Sequence, residues 1–398
     1  MPALSAPASL YVHVPFCPHV CPYCDFHKMR RDEALVGRYL DRLEDEIADL
    51  AARYGGPLDT VYLGGGTPSH LRDDELARVL HAIRSGFRGL GRRETTLEAD
   101  PGTFDAARLA RFREAGIDRV SIGLQSAHDP TLRFLGRAHD AASGLAAVEA
   151  AVAADLRVAV DLIVGIAGRA PDDDVARLAE RGVGHVSVYG LTIEPFTPFA
   201  RRGVRVDEDR AADDLAAAEA ALEGAGYRRY EVSNYARPGL EAIHNAAYWH
   251  GAPFLAAGPS AAAYLPEGPH GTRLTAPPIK AWLRGEGGER EVLDADALVL
   301  ERLLTGLRTA RGVDLAALAR DANVDVRAAL APGLDAERAA GRLELVAADA
   351  LAGSPAAASL RHATGADDDG GTVLRATPAG VRVLDAVVRR LVDAVAIA

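Results

Sequence analysis

The chain has three cysteines and places all of them within one short loop, Cys17-Pro18-His19-Val20-Cys21-Pro22-Tyr23-Cys24. No cysteine follows Cys24. Ordinary usage would scatter a few thiols through a chain of this size. Their concentration as C-x3-C-x2-C points instead to thiolates converging on something soft and metallic. Three ligands from so short a loop cannot close a tetrahedral zinc site, which takes four. The odd count also argues against a disulfide framework. A 4Fe-4S cluster held by three thiolates, with one iron left open, satisfies the arithmetic best. The competing reading is a surface loop with a partial zinc site.

At 398 residues the chain is long enough for two or three domains around a large core. A net charge of −11 disfavours nucleic acid as the main partner, because phosphate binding rests on basic surface and no Lys/Arg-rich run appears. The first nine residues carry no basic, apolar leader, so no signal peptide is expected. No window approaches 18 consecutive apolar residues, so no transmembrane span is expected, which leaves peripheral membrane contact open. Exposed thiolates suit a reducing cytoplasm.

Short β-rich runs at 10–14, 60–63, 95–99, 119–124, 158–164 and 185–191 alternate with stretches of helical period. Leu35, Tyr39, Leu40, Leu43, Ile47 and Leu50 mark one such stretch, and Leu76, Val79, Leu80 and Ile83 another. Strands separated by helices mean βαβ units and a parallel sheet, either doubly wound or an incomplete barrel. A helix over 208–225, a strand over 227–232 and a loop through Ser233-Asn234-Tyr235 follow, then Gly- and Pro-rich sequence over 253–278. The remainder reads as helices at 297–308, 315–322 and 336–340, a hairpin, and a last helix over 378–395 capped by Thr377. Asp367-Asp368-Asp369-Gly370-Gly371 reads as a solvated turn.

The apolar run Tyr11-Val12-His13-Val14-Pro15-Phe16 leading into the cysteine loop resembles the radical S-adenosylmethionine (SAM) superfamily. Within it the string is similar to the oxygen-independent coproporphyrinogen III oxidases and their haem-chaperone (HemW-type) relatives. The resemblance implies an open (β/α)6 partial barrel over 1–240 with the cluster and SAM site. It implies a loop-rich connection over 241–279 with a candidate haem motif, and a winged-helix-like, mainly helical domain over 280–398. In that family Cys17, Cys21 and Cys24 would ligate the cluster, whose open iron chelates SAM and whose reduced form cleaves it to a 5'-deoxyadenosyl radical. Tyr23 would pack near the adenine, with Tyr11 in the strand leading to the loop.

The remaining candidates fall just past the C-terminal ends of strands, where parallel α/β folds place ligands. Gly64-Gly65-Gly66-Thr67-Pro68 lets the backbone approach a ligand closely, and Gly65, Gly66 and Thr67 resemble the motif that grips the SAM amino group. Glu98 suits ribose hydroxyls or an ammonium; Gln125 offers an amide for a ribose or an adenine edge; Arg137 offers a fork to a carboxylate. Asp161, an acid inside an apolar strand, needs a partner, supplied by Arg137 or the cofactor. The chain departs from the family pattern at Ile166-Ala167, at Arg169-Ala170, and at Phe196, where relatives place glycine. Finally, His244-Asn245-Ala246-Ala247-Tyr248-Trp249 is similar to the His-Asn-x-x-Tyr-Trp haem motif of the chaperone branch. A histidine can ligate haem and aromatics can stack on it. The same residues would equally serve to anchor their loop against the barrel.

Three features separate the functions that the resemblance implies. The decarboxylases carry a fourth cysteine two residues after the third, where this chain has Phe26. They also carry a long N-terminal extension, against about nine residues here before the first strand. The His244 string belongs to the chaperone side. The expectation is therefore a haem chaperone that passes haem to apo-haemoproteins. The alternatives are a coproporphyrinogen III dehydrogenase of porphyrin biosynthesis and a haem-modifying radical SAM enzyme; whether SAM is turned over stays open.

Overall fold

The computed structural model describes residues 6–168, 171–348 and 371–393. Six parallel strands, Ser9–Val14, Thr60–Gly65, Glu94–Ala99, Arg119–Gln125, Arg157–Val164 and His185–Gly190, lie side by side in chain order. A doubly wound sheet would reverse that order at a switch point. The unbroken order is that of an open (β/α)6 barrel. Each strand is within one or two residues of its expected bounds at either end, because one face of each carries an apolar stripe that packs in the core.

The covering helices follow their periodicity. Asp32 caps Glu33–Tyr54 by accepting the amides of Ala34 and Leu35, and Val36, Tyr39, Leu40, Leu43 and Ile47 form its buried face. Asp73–Phe87 packs beside it.

Two segments extend the sheet where the sequence suggested otherwise. Leu255–Ala257, from the Gly- and Pro-rich stretch, pairs in parallel with the first strand. Asn234–Ala236, expected as loop, pairs antiparallel with the sixth. The expected strand 227–232 shrinks to Arg228–Arg229. The buried Tyr230 hydroxyl meets His185 Nε2 at 2.8 Å, and the Glu231 carboxylate accepts Ser233 N–H at 3.1 Å, so the chain turns there. The same Gly- and Pro-rich stretch supplies Ala262–Leu265 and Thr272–Thr275, which form a small antiparallel sheet with Glu289–Val292 beyond it.

The C-terminal part has its own apolar core, including Leu303, Leu307, Leu330, Leu374 and Val387. Its helices are Ala295–Gly306, Leu315–Ala322 and Val326–Ala339. The last is far longer than 336–340: Val326, Leu330 and Leu334 bury one face, which outweighs the roughly 3 kcal/mol that Pro332 inside the helix costs. Thr372–Ala376 pairs with both Leu343–Ala347 and Val313–Asp314. The Thr377 hydroxyl accepts Gly380 N–H, but the last helix divides into Pro378–Val381 and Leu384–Asp393. Asp367 to Gly370, and Arg169-Ala170, lie outside the described residues. No described helix is long and apolar enough to cross a membrane.

Candidate functional site

The strand interiors alternate. Glu98 and Asp100, then Ser121, Gly123 and Gln125, then Ala159, Asp161 and Ile163, then His185, Ser187 and Tyr189 point at every second position into one cavity of about 490 Å³. That volume lies within the ordinary range for small-molecule sites, about 300–1,000 Å³. The cysteine loop forms one wall, contributing Cys17, Cys21, Tyr23 and Cys24.

A short parallel pairing of Phe16–Cys17 with Met29–Arg30 closes the loop at its base. All three thiols are free. Burial pushes the Cys17 thiol up to about 11, and Thr67 opposes that with a hydrogen bond. Burial also acts on Cys21, but His19 Nε2 at 3.4 Å and Arg137 Nη1 at 3.3 Å from its sulfur more than offset it and favour the thiolate. Burial raises Cys24 against the pull of Lys28. Among the described residues no three His, Cys, Asp or Glu side chains enclose a single metal ion. A cluster makes a different demand, since separate irons each take one thiolate and the sulfurs need not meet at a point. Three soft donors on one wall of a cavity fit that demand.

Gly65, Gly66 and Thr67 line the same cavity, and their amides serve the protein itself. Gly65 N–H donates to Glu98 Oε2 at 2.9 Å, Gly66 N–H to the Val14 carbonyl at 2.8 Å, and Thr67 N–H to the Phe16 carbonyl at 2.9 Å. A ligand ammonium would therefore use carbonyl oxygens. Gly65 sits at φ +108°, and a Cβ there would stand 2.4 Å from the His13 ring. The triplet thus also stitches the second strand to the cysteine loop.

Glu98 accepts the Tyr62 hydroxyl at 2.8 Å. Burial pushes Glu98 up to about 7, against the bonds from Tyr62 and Gly65. Asp161 is pushed up to about 6 by burial, and its partners are the hydroxyls of Ser187 and Ser121 on the flanking strands. Of the two partners expected for it, Arg137 or the cofactor, the Arg137 guanidinium is engaged elsewhere. Its Nη2 lies 2.5 Å from Asp100 Oδ1 and 2.7 Å from the Gly123 carbonyl, with the side chain 5% exposed. Its Nε is buried without a partner. Gln125, at φ +67°, faces the cavity with them, and a Cβ on Gly123 would come within 2.7 Å of Asp100 Oδ1. Tyr11 does not reach the cavity; its hydroxyl pairs with His13 Nδ1 at 3.0 Å. Asp100, Ser121, Ser187 and Tyr62 went unread in the sequence. Their signal was the period-2 placement of polar residues in apolar strands, with Asp100 two residues after Glu98.

The His244 string forms the helix Ile243–Trp249 at the opposite, N-terminal end of the strands. Only Asn245 of its four named residues reaches the cavity. His244 is 1% exposed, and both ring nitrogens are engaged: Nδ1 with Thr60 Oγ1 at 2.8 Å and Nε2 with the Tyr248 hydroxyl. Its ring stacks on Tyr62 at 5.1 Å. Burial pushes it down to about 3, so it stays neutral. The helix start is pinned by Glu94, which accepts the amides of Ile243 and His244 at 3.1 and 3.0 Å. In this arrangement the string anchors its loop under the barrel, and Tyr62 joins it to Glu98.

A sequence profile of the Radical SAM superfamily matches residues 11–182. The chain resembles in fold the coproporphyrinogen III oxidase HemN of Escherichia coli, a radical SAM enzyme, with a TM-score of 0.77 at 20% identity over 98% of this chain and 90% of that one. It is 35% identical to the heme chaperone HemW of Escherichia coli (strain K12), over 63% of this chain and 68% of that protein. It is also 37% identical to the heme chaperone HemW of Mycobacterium tuberculosis (strain ATCC 25618 / H37Rv), over 84% of this chain and 90% of that protein. Identity at this level across nine tenths of a relative's length goes beyond a shared fold, and the chain belongs to the HemW family of radical SAM proteins.

Proposed function

We propose that this protein is a haem chaperone that carries a 4Fe-4S cluster on Cys17, Cys21 and Cys24, binds SAM in the adjoining cavity, and hands haem to apo-haemoproteins. The observation that carries the reading is Phe26. It stands two residues beyond the third thiol and faces the cavity where a decarboxylase of this family has a further cysteine. Relatives named heme chaperones support the same reading. Three free thiols suit a reducing cytoplasm.

A bound cluster would supply an iron site for the amino and carboxylate groups of SAM. Around it, carbonyls of the Gly65-Gly66 turn would receive the ammonium, and Glu98 and Gln125 would take the ribose or adenine edge. Asp161 would hold negative charge deeper in the cavity. Arg137 keeps its Nε hydrogen and one Nη1 hydrogen for a carboxylate. Haem ligation by His244 requires its helix to leave its seat, because neither ring nitrogen is free. Titration with haem under anaerobic conditions should give a shifted Soret band, and its absence would overturn the chaperone reading.

The raised carboxyls give this reading a pH signature. SAM is a cation, so its complex favours ionised Glu98 and Asp161. Binding therefore releases protons below about pH 7, and affinity should rise with pH until both groups are ionised. Isothermal titration should show SAM binding about tenfold tighter at pH 8 than at pH 6, a difference of about 1.4 kcal/mol. Glu98→Gln should flatten that slope. Affinity independent of pH would remove Glu98 and Asp161 from the site.

A further inference from the structure

The rim of the cavity carries an unusual set of exposed apolar side chains. Phe26 is 67% exposed on the cysteine loop, and Val20 and Tyr189, both also facing the cavity, are 40% and 43% exposed. Phe196 is 91% exposed and sits at φ +67°, left-handed backbone that a bulky residue rarely adopts. It is not on a slack loop. Arg201 Nη1 donates to its carbonyl, and Thr197 next to it caps the turn Pro198–Arg201. Phe199 N–H donates to the Pro22 carbonyl at 3.0 Å, and the Phe199 ring packs on Tyr23 and Phe134. The segment is thus tied to the cysteine loop, and Glu194, two residues before Phe196, lines the cavity. Exposed cations follow at once: Arg201, Arg202 and Arg205, none within ion-pair distance of an acid among the described residues. The exposed acids Asp207, Glu208 and Asp209 begin two residues after Arg205, so the positive charge is confined to 201–205.

We infer that haem docks across this mouth, with its ring against Phe26 and Phe196 and its carboxylates toward Arg202 and Arg205. The inference rests on the haem-chaperone reading and deepens it by moving the haem contact away from His244. Two aromatic faces recognise a flat apolar ring, and guanidinium forks recognise carboxylates at its edge. A surface that opens on to a cavity suits such a molecule better than it suits a flat protein face.

The test is anaerobic titration of the reconstituted full-length protein with haem, read by the Soret shift, for wild type, Phe26→Ala/Phe196→Gly and Arg202→Glu/Arg205→Glu. The aromatic pair should weaken binding at least tenfold and the arginine pair several-fold, with unchanged iron content; the thermal midpoint should hold or rise, because all four side chains are exposed and glycine suits the left-handed backbone at 196. Wild-type binding with an unaltered double aromatic variant would overturn the proposal and leave the chaperone reading standing. So would normal haem binding with lost transfer to an apo-haemoprotein, which would make this face the acceptor's dock. A wild type that binds no haem would overturn the chaperone reading itself.

Discussion

Cys21→Ser protein, reconstituted anaerobically with iron and sulfide, is expected to hold neither above background. The change is small in volume but decisive in chemistry. A thiolate is soft, and at this position it is favoured: His19 and Arg137 both approach the sulfur and outweigh the burial that would otherwise keep it protonated. A serine hydroxyl is hard and stays protonated beside the same two groups, so it cannot replace the ligand. The other two cysteines, Cys17 and Cys24, are already assigned as ligands, so none is left to substitute for it. The folded chain should survive, since Cys21 contributes little buried apolar surface of its own. Iron and labile-sulfide assays check this alongside circular dichroism, and a variant with wild-type iron would remove Cys21 from the ligand set.

Glu94→Gln is expected to lower stability by about 3–5 kcal/mol, the usual cost of breaking one side of a buried ion pair. Glu94 is wholly buried, and Arg119 Nε lies 3.0 Å from its Oε2. Burial works against its charge, but Arg119, Arg157 and the amides of Ile243 and His244 lower it below the ordinary carboxyl range. The glutamine keeps one acceptor and leaves Arg119 charged in the barrel floor, bonded only to the Leu240 and Glu241 carbonyls. The helix that carries His244 should loosen with it. Urea denaturation should show an earlier midpoint, and Trp249 should become more accessible to a fluorescence quencher. Glu98→Gln supplies the contrast: that carboxyl is already pushed up to about 7, so neutralising it at pH 8 should cost little or stabilise. Equal losses at both ends of the barrel would contradict this division between anchor and ligand cavity.

Much of this was legible because local rules governed it. Period and β-branched runs located the six strands; the cysteine spacing and the resemblance to radical SAM proteins singled out Cys17, Cys21, Cys24, Gly65, Gly66, Thr67, Glu98, Gln125, Arg137 and Asp161, which all face one cavity. What sequence could not supply were pairings between distant strands. That Arg137 belongs to Asp100, and that Asp161 sits between Ser121 and Ser187, depends on strand register. The His244 string shows the same limit. Its residue types fit a ligand and an anchor equally, and only Thr60 and Glu94, far away in the chain, decide which hydrogen bonds it makes. Asn234–Ala236 was unread for a related reason, since a three-residue strand has no period to detect.

A chaperone and a decarboxylase would share the same radical SAM apparatus, and one assay separates them. Reconstituted protein, SAM and a strong reductant are incubated anaerobically with coproporphyrinogen III, and the products are separated. A haem chaperone should yield no protoporphyrinogen above a cluster-free control, from a preparation that binds haem. Robust decarboxylation by that preparation would contradict it.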